Sequence, residues 1–395
     1  MRRLPRNVWV LSVTSFLTDV SSEMLFNLLP LFLTNVLGAS TAVVGLIEGI
    51  AETTASLLKV YSGALSDRLG RRKRLTVIGY TLSAIAKPFL YFANSWGLVL
   101  GVRFTDRIGK GIRSAPRDAL LAGSIEPERR GLAFGLHRAA DTAGAFVGIG
   151  IAALIIWRTQ AGDPTLERAT FQAVVLASIL PAVLAVLLLV LGAHELAAPR
   201  GDGGPFRLSI DGMDRRFLFF LGIVILFTLG NSSDAFIILR AQERGLSVLQ
   251  VMGMLLTFTA VYTLLSTPAG SLSDRVGRRR VLLAGWLVYM LVYLGLARAQ
   301  SGAQVWLLFS LYGVYYALAE GTARALVADL VPEAQRGTAY GLYHAGIGLA
   351  ALPASLIAGV LWQGLGEWPG FGPAAPFYFG AGMALVAGGL LAFSD

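Results

Sequence analysis

The stretch GALSDRLGRRKRL, beginning at Gly63, returns as GSLSDRVGRRRVL, beginning at Gly270, 207 residues further on. Each copy stands where one apolar run ends and the next begins, so each reads as a short charged loop between two hydrophobic helices. A second match supports the first: Arg130-Gly131-x-Ala133-Phe134-Gly135-Leu136 recurs as Arg336-Gly337-x-Ala339-Tyr340-Gly341-Leu342, at an offset of 206. The chain is built twice, and the fold it adopts has to be built twice as well.

Composition decides the solvent. Hydrophobic residues make up 55% of the chain and charged ones only 14%, and the mean hydropathy is +0.65, which selects a bilayer over a soluble core. At about 20 to 25 residues per span, twelve helices use roughly 240 to 300 of the 395 residues and leave room for short loops only. The predicted spans run from about Val8 to Leu37, Thr41 to Leu65, Thr76 to Phe92, Gly97 to Leu121, Gly131 to Trp157 and Thr170 to Gly192. After a Pro/Gly/charged stretch they resume from about Phe217 to Leu239, Ser247 to Ala269, Val281 to Ala297, Gln304 to Leu330, Gly337 to Trp362 and Ala375 to Ala392. This divides the chain into an N-terminal six-helix half (1–196), a linker (197–216) and a C-terminal half (217–395). The first apolar run carries Asp19 and Glu23 and continues past Pro30 at full span length, so it reads as an uncleaved first helix.

The net charge of +9 does not mark a nucleic-acid binder, because the bases sort by membrane side instead of gathering on a soluble face. Loops assigned to the cytoplasm hold Arg2, Arg3, Arg6, Arg68, Arg71 to Arg74 with Lys73 among them, Arg129, Arg130, Arg200, Arg207, Arg215, Arg216, Arg275, Arg278 to Arg280 and Arg336. The opposite side holds only Arg158, Arg168, Arg240, Arg244 and Arg298. This positive-inside bias puts both termini in the cytoplasm of a cell whose cytoplasmic (inner) membrane the chain crosses many times. There is no cysteine, which excludes disulfides and thiol chemistry. The three histidines, His137, His194 and His344, have no metal-ligand spacing, and neither a Gly-x-Ser-x-Gly elbow nor a phosphate loop occurs, so neither an enzyme nor a metal or cofactor site is expected.

The repeated loop resembles the motif between the second and third helices of major facilitator superfamily transporters and its echo between the eighth and ninth. The resemblance covers essentially the whole chain. It implies an all-α membrane protein of twelve transmembrane helices in two pseudo-symmetric six-helix halves, with secondary transport of a small solute by alternating access. It also implies a conformational latch made by Gly63, Asp67, Arg68, Gly70, Arg71 and Arg72 in the first copy and Gly270, Asp274, Arg275, Gly277, Arg278 and Arg279 in the second. The aspartate of each copy would meet a helix N-terminus of the opposite half, which for the first copy implies the eleventh helix near Gly337. The alternative is that these arginines only fix topology.

Within the spans the fourth carries the largest charge. Arg103, Arg107, Lys110, Arg113 and Arg117 recur at helical spacing and form a stripe on one face. Each central base costs about 2.5 to 3.5 kcal/mol to insert, so the stripe must face water or counter-ions. Candidate counter-ions are Asp19 and Glu23, Glu48 and Glu52, and Asp141, with Asp106 and Asp118 on the same helix. The family lines its cavity with helices 1, 4, 7 and 10. The resemblance therefore implies Asp19, Glu23, Arg107, Lys110 and Arg113 on one wall. Asn231, Asp234, Tyr315, Tyr316, Glu320, Arg324, Tyr343 and His344 form a less charged, aromatic second wall. The competing account has the pairs neutralise one another and lock the half together, with the aromatics as packing.

Proton-coupling candidates are Asp19 and Glu23, whose charged form a dry cavity disfavours, and the pair His137 and Asp141, one turn apart. The expected partners are a small-molecule substrate, protons and the lipid bilayer, with a monomer sufficient for function. Proton-coupled export of an organic or amphipathic compound is the first reading, because the doubled loop motif resembles exporters. Uptake or exchange of an anionic solute (an organic anion, metal chelate or siderophore) is the second, motivated by the basic stripe. A non-transporting sensor or a lipid-moving protein of the same fold is the third. Two features depart from drug antiporters: Thr105 stands where their fourth helix carries the arginine of Arg-x-x-x-Gly-x-Gly, and the fifth helix lacks their Gly-Pro pair.

Overall fold

The computed structural model describes residues 4–160, 162–196, 210, 212–332 and 335–393, with the side chains of all but Ala64, Asp67, Arg68, Leu69 and Glu128. The expectations attached to the Asp67 and Arg68 side chains, to Arg2, Arg3, Arg200 and Arg207, and to most of the linker lie outside the described residues.

Twelve long helices stand among the described residues. They are α1 (Arg6–Val36), α2 (Thr41–Leu69), α3 (Arg72–Phe92), α4 (Trp96–Gly123), α5 (Arg130–Gln160), α6 (Arg168–Gly192), α7 (Arg215–Glu243), α8 (Val248–Val276), α9 (Arg278–Arg298), α10 (Gly302–Asp329), α11 (Arg336–Gln363) and α12 (Ala375–Ala392). In lipid a backbone N–H or C=O has no water to bond, and helices satisfy these groups internally. Eleven of the twelve are long and apolar enough to cross a membrane; α4 is long enough, but its charges set it apart.

The helix ends follow local chemistry. Ser247 and Gln250 form a reciprocal capping box at the start of α8, Ser301 caps α10, and Asp214 accepts the Arg216 N–H at the start of α7. Gly70 and Gly277 take φ of 60° and 103°, the left-handed turns that the repeated loop requires. Pro30 interrupts α1, whose last turn, Phe32–Val36, widens to a π-helix, and Pro88 lies in a final 3₁₀ turn of α3, Lys87–Phe92. The seventh span departs from expectation. Instead of one continuous helix it stops at Gly230 and restarts at Ala235, because Asn231, Ser232, Ser233 and Asp234 all carry side chains that compete with the helical backbone.

The chain divides into two units. One comprises Met1–Phe32, Thr54–Ala161 and Leu166–Arg207; the other comprises Leu33–Thr53, Gly162–Thr165 and Leu208–Asp395. In the first, α1 packs on α5 and α6, and α3 on α4; in the second, α7 packs on α11 and α12, and α9 on α10. The duplication seen in the letters therefore recurs in the packing. Glycines set the closest crossings: a Cβ on Gly79 or on Gly109 would come within 2.5 Å of the other's carbonyl oxygen, and one on Gly148 would meet the Val20 carbonyl at 2.5 Å. In the second unit the start of α2 lies on α11, where the Thr41 hydroxyl donates to the Gly359 carbonyl and the Thr41 N–H to the Gln363 side chain, each at 2.9 Å.

The repeated loops hold their neighbours in matching ways. Arg72 donates to the Ala119 carbonyl at 3.4 Å, and Arg278, 206 residues on, donates to the equivalent Ala325 carbonyl while pairing with Asp329 at 2.7 Å and Asp274 at 3.8 Å. Arg279 donates to the Leu391 carbonyl, as Lys73 does to that of Val190. Arg71 and Arg275 point to the surface. A Cβ placed on Gly63 would lie 3.4 Å from that of Ala115, but no atom lies within 4 Å of a Cβ placed on Gly270, so close packing does not explain the second glycine.

Candidate functional site

The candidate residues fall into two groups, one in each unit. In the first unit the bases of α4 do not behave as one stripe. Arg103 and Arg107 are buried over the face of Phe26 from α1, with guanidinium carbons 4.1 and 5.6 Å from the ring centre, and Arg107 lies 3.9 Å from Asp106. Arg113, further along the helix, is buried 4.3 Å from the Tyr80 ring and 2.8 Å from the Ser83 hydroxyl. Arg117 bonds Asp118 through two nitrogens at 3.0 and 2.9 Å and reaches Ser15 at 3.3 Å. Lys110 alone of the five is exposed.

Lys87 joins this group unannounced by the sequence. It is 1% exposed, and its ammonium donates to the Ser21 and Ser22 hydroxyls of α1, both at 2.9 Å, and stands 5.9 Å from Phe26. A lone lysine beside Pro88 at the end of a span reads as an interfacial residue; only the packing of α3 on α1 and α4 turns it inward.

Asp19 is half-buried on α1 and makes no hydrogen bond or ion pair among the described residues, with Asp141, Glu23, Lys110 and Arg113 in electrostatic reach. Glu23 takes the Asn27 side-chain amide at 2.9 Å. His137 is buried on α5, with Nδ1 3.5 Å from the Asp141 carboxylate, so the predicted pair is formed. Arg138, beside it, is exposed.

In the second unit the same repeat positions carry different chemistry. At the 206-residue offset, Ser83, Lys87, Arg103, Asp106, Gly109 and Lys110 correspond to Tyr289, Tyr293, Phe309, Tyr312, Tyr315 and Tyr316. Of the four charged positions, three correspond to a tyrosine and one, Arg103, to a phenylalanine. These rings stack on one another: Tyr289 on Tyr293 at 4.0 Å, Tyr312 on Tyr315 at 5.2 Å and Phe258 on Phe309 at 4.6 Å between centroids.

Their hydroxyls serve the break in α7. Tyr289 donates to the Gly230 carbonyl at 2.9 Å, Tyr312 donates to Asn231 Oδ1, Asn231 Nδ2 donates to Tyr315, and Tyr316 donates to Asp234 Oδ2, the last three at 3.3 Å. Further along α10, Glu320 accepts the Tyr262 hydroxyl at 2.6 Å and pairs with Arg324 at 2.7 Å, while Tyr340 donates to the Arg324 carbonyl at 3.1 Å. Tyr343 is buried on α11 with its ring 5.5 Å from that of His344. Tyr262, Tyr289, Tyr293 and Tyr312 are missed by sequence reasoning, since aromatics at helical spacing read as packing. Among the described residues no group of three His, Cys, Asp or Glu is placed to hold a metal ion.

Comparison with known proteins follows the same lines. The sequence profile of the Major Facilitator Superfamily matches residues 11–229 and again 218–395. The chain is 37% identical over 398 residues to an uncharacterized MFS-type transporter of Methanocaldococcus jannaschii, covering 99% of this chain and 96% of that one. It is 23% identical over 375 residues to a multi-drug resistance efflux pump PmrA homolog of Lactococcus lactis, covering 90% of this chain and 89% of that one. In structure it resembles the nucleoside transporter NupG with a TM-score of 0.82 over 98% of this chain and 100% of that one, at 13% identity, a likeness of fold alone. Two six-helix repeats, the doubled charged loop and the profile match over nearly the whole length all lead to one assignment: the chain belongs to the Major Facilitator Superfamily, and it is a membrane transporter, not an enzyme.

Proposed function

We propose that this transporter exports an organic or amphipathic compound across the cytoplasmic membrane in exchange for protons, as a monomer with both termini in the cytoplasm, its two six-helix halves (1–196 and 217–395) joined by the 197–216 linker. One observation carries the proton reading: Asp19 is a half-buried carboxylate within a span and has neither a hydrogen bond nor an ion pair among the described residues, so no direct partner holds it as an ion. Similarity to proteins described as a multi-drug resistance efflux pump homolog and a multidrug resistance protein supports export. The doubled loop supports two halves that exchange conformations.

A second reading rests on a separate observation. Lys87, Arg103, Arg107 and Arg113 are all buried in α3 and α4 with Asp106 among them, a basic concentration suited to an anionic solute.

Liposomes holding the purified protein and an internal pH dye test both. Ethidium, a lipophilic cation, and benzoate, an organic anion, are added in turn against an imposed pH gradient. Proton flux opened by ethidium and lost at least tenfold in Asp19→Asn supports export; flux opened only by benzoate and lost in Arg113→Gln supports the anion reading. Labelled solute that equilibrates without any proton movement rules out proton coupling.

A further inference from the structure

The Asp19 reading leaves Asp234, an acid within a membrane span, without a task. Asp234 ends the break in α7 and stands at the N-cap of the second helical segment, where a carboxylate ordinarily caps the backbone. It does not do so. The Ala235 N–H goes to the Ser233 hydroxyl at 3.2 Å, and the Ser233 N–H to Ser355 of α11 at 3.4 Å. The Asp234 carboxylate turns away and takes the Tyr316 hydroxyl at 3.3 Å.

The groups that act on it most strongly are neutral or acidic. Tyr312, Tyr315 and Tyr316 approach from α10, Tyr289 and Tyr293 from α9, and Glu48 and Glu52 from α2. No Lys, Arg or His lies within ion-pair distance among the described residues. A permanent carboxylate here would stand uncompensated among apolar helices, with two like charges nearby, a placement that membrane interiors do not sustain without function. Phenol partners suit a group that changes state, because a tyrosine hydroxyl donates to a carboxylate and accepts from a carboxylic acid without moving. A purely structural role would be met equally well by asparagine, which makes the same bond to Tyr316.

We infer that Asp234 is a second protonation site of the transporter, taking a proton from water on one side of the membrane and returning it on the other, held by Tyr316 and separate from Asp19. This rests on the proton-coupled reading, but it makes a claim of its own about one carboxyl group.

Infrared difference spectra of the purified protein, recorded between acidic and alkaline buffers, read carboxyl protonation without need of a substrate. Asp234→Asn should lose one protonated-carboxyl band that Asp19→Asn retains. Tyr316→Phe should keep the band and move its midpoint by about one pH unit, the equivalent of one hydroxyl hydrogen bond. A spectrum of Asp234→Asn identical to wild type overturns the inference. If that variant does not fold, an unmoved midpoint in Tyr316→Phe does so instead. Should the band vanish as expected while wild-type liposomes pass solute without protons, proton coupling falls and Asp234 stands as a titrating group that transport does not use.

Discussion

Arg240 is only 1% exposed, yet it carries a full charge near the end of α7. Its guanidinium donates to the carbonyls of Leu296, Ala297 and Ala299 at 3.0, 3.0 and 3.3 Å and pairs with Glu243 at 2.7 Å. The last carbonyls of a helix have no partners of their own, and a cation there also meets the negative end of the dipole. One side chain of α7 thus caps α9. Replacing it by alanine leaves those carbonyls unmatched and Glu243 with Arg244 alone, and Arg240→Ala is expected to cost about 3 to 5 kcal/mol. Arg244→Ala, which removes only a partly exposed partner of Glu243, should cost about 1 kcal/mol or less. Thermal unfolding in detergent separates the two; equal shifts would refute the capping role. None of this was legible in the letters, where Arg240 counted only as one of few bases on its side of the membrane. The same holds for Lys87. A residue whose importance comes from what a distant helix brings to it has no local signature, whereas His137 and Asp141, four apart on one helix, declared themselves.

At the scale of elements, the charged α4 is held against α3 by two glycines facing each other. Adding a methyl to Gly109 drives it toward the Gly79 carbonyl and the Ser83 hydroxyl. Gly109→Ala should therefore cost about 1 to 3 kcal/mol through overpacking. Gly101 sits in the same helix with nothing within 4 Å, and Gly101→Ala should be neutral or stabilise by up to about 1 kcal/mol. Melting temperatures of the pair decide it, since a shared loss would mean that helix flexibility, and not the crossing, is what these glycines serve. Element existence was written plainly in the sequence: all twelve predicted spans correspond to helices, because a run long enough to cross lipid admits few alternatives. The break in α7 was the exception. Asn231-Ser232-Ser233-Asp234 is a run of helix-start residues inside an apolar span, and hydropathy averages over it.

For the whole molecule, the absence of cysteine is an experimental advantage. A single introduced thiol reports its own side of the membrane. Ser95→Cys, in the exposed turn between α3 and α4, should react with an impermeant maleimide added to intact cells. Glu126→Cys, in the turn between α4 and α5, should react only after permeabilisation. The opposite pattern would invert the orientation that the arginine distribution implies. The duplication was the most legible property of all, since the repeat offset in the letters reappears in the Arg72 and Arg278 anchors and in the pairing of helices. The way the two repeats diverge was not legible. Tyr293, Tyr312 and Tyr316 on α9 and α10 take the places of Lys87, Asp106 and Lys110 on α3 and α4, and that becomes visible only when tyrosine hydroxyls are found on the broken α7.

The character of α4 also bears on how the chain is made. Arg103, Asp106, Arg107, Lys110, Arg113, Arg117 and Asp118 lie within a single 28-residue helix. At about 2.5 to 3.5 kcal/mol for each centrally placed charge, such a segment has no favourable partition into lipid by itself. The groups that match it, Phe26 on α1 and Tyr80 and Ser83 on α3, are synthesised before it. An α4 that enters the bilayer after α1 and α3 finds these partners already made, so the ribosome's N-to-C order is expected to be part of the folding information.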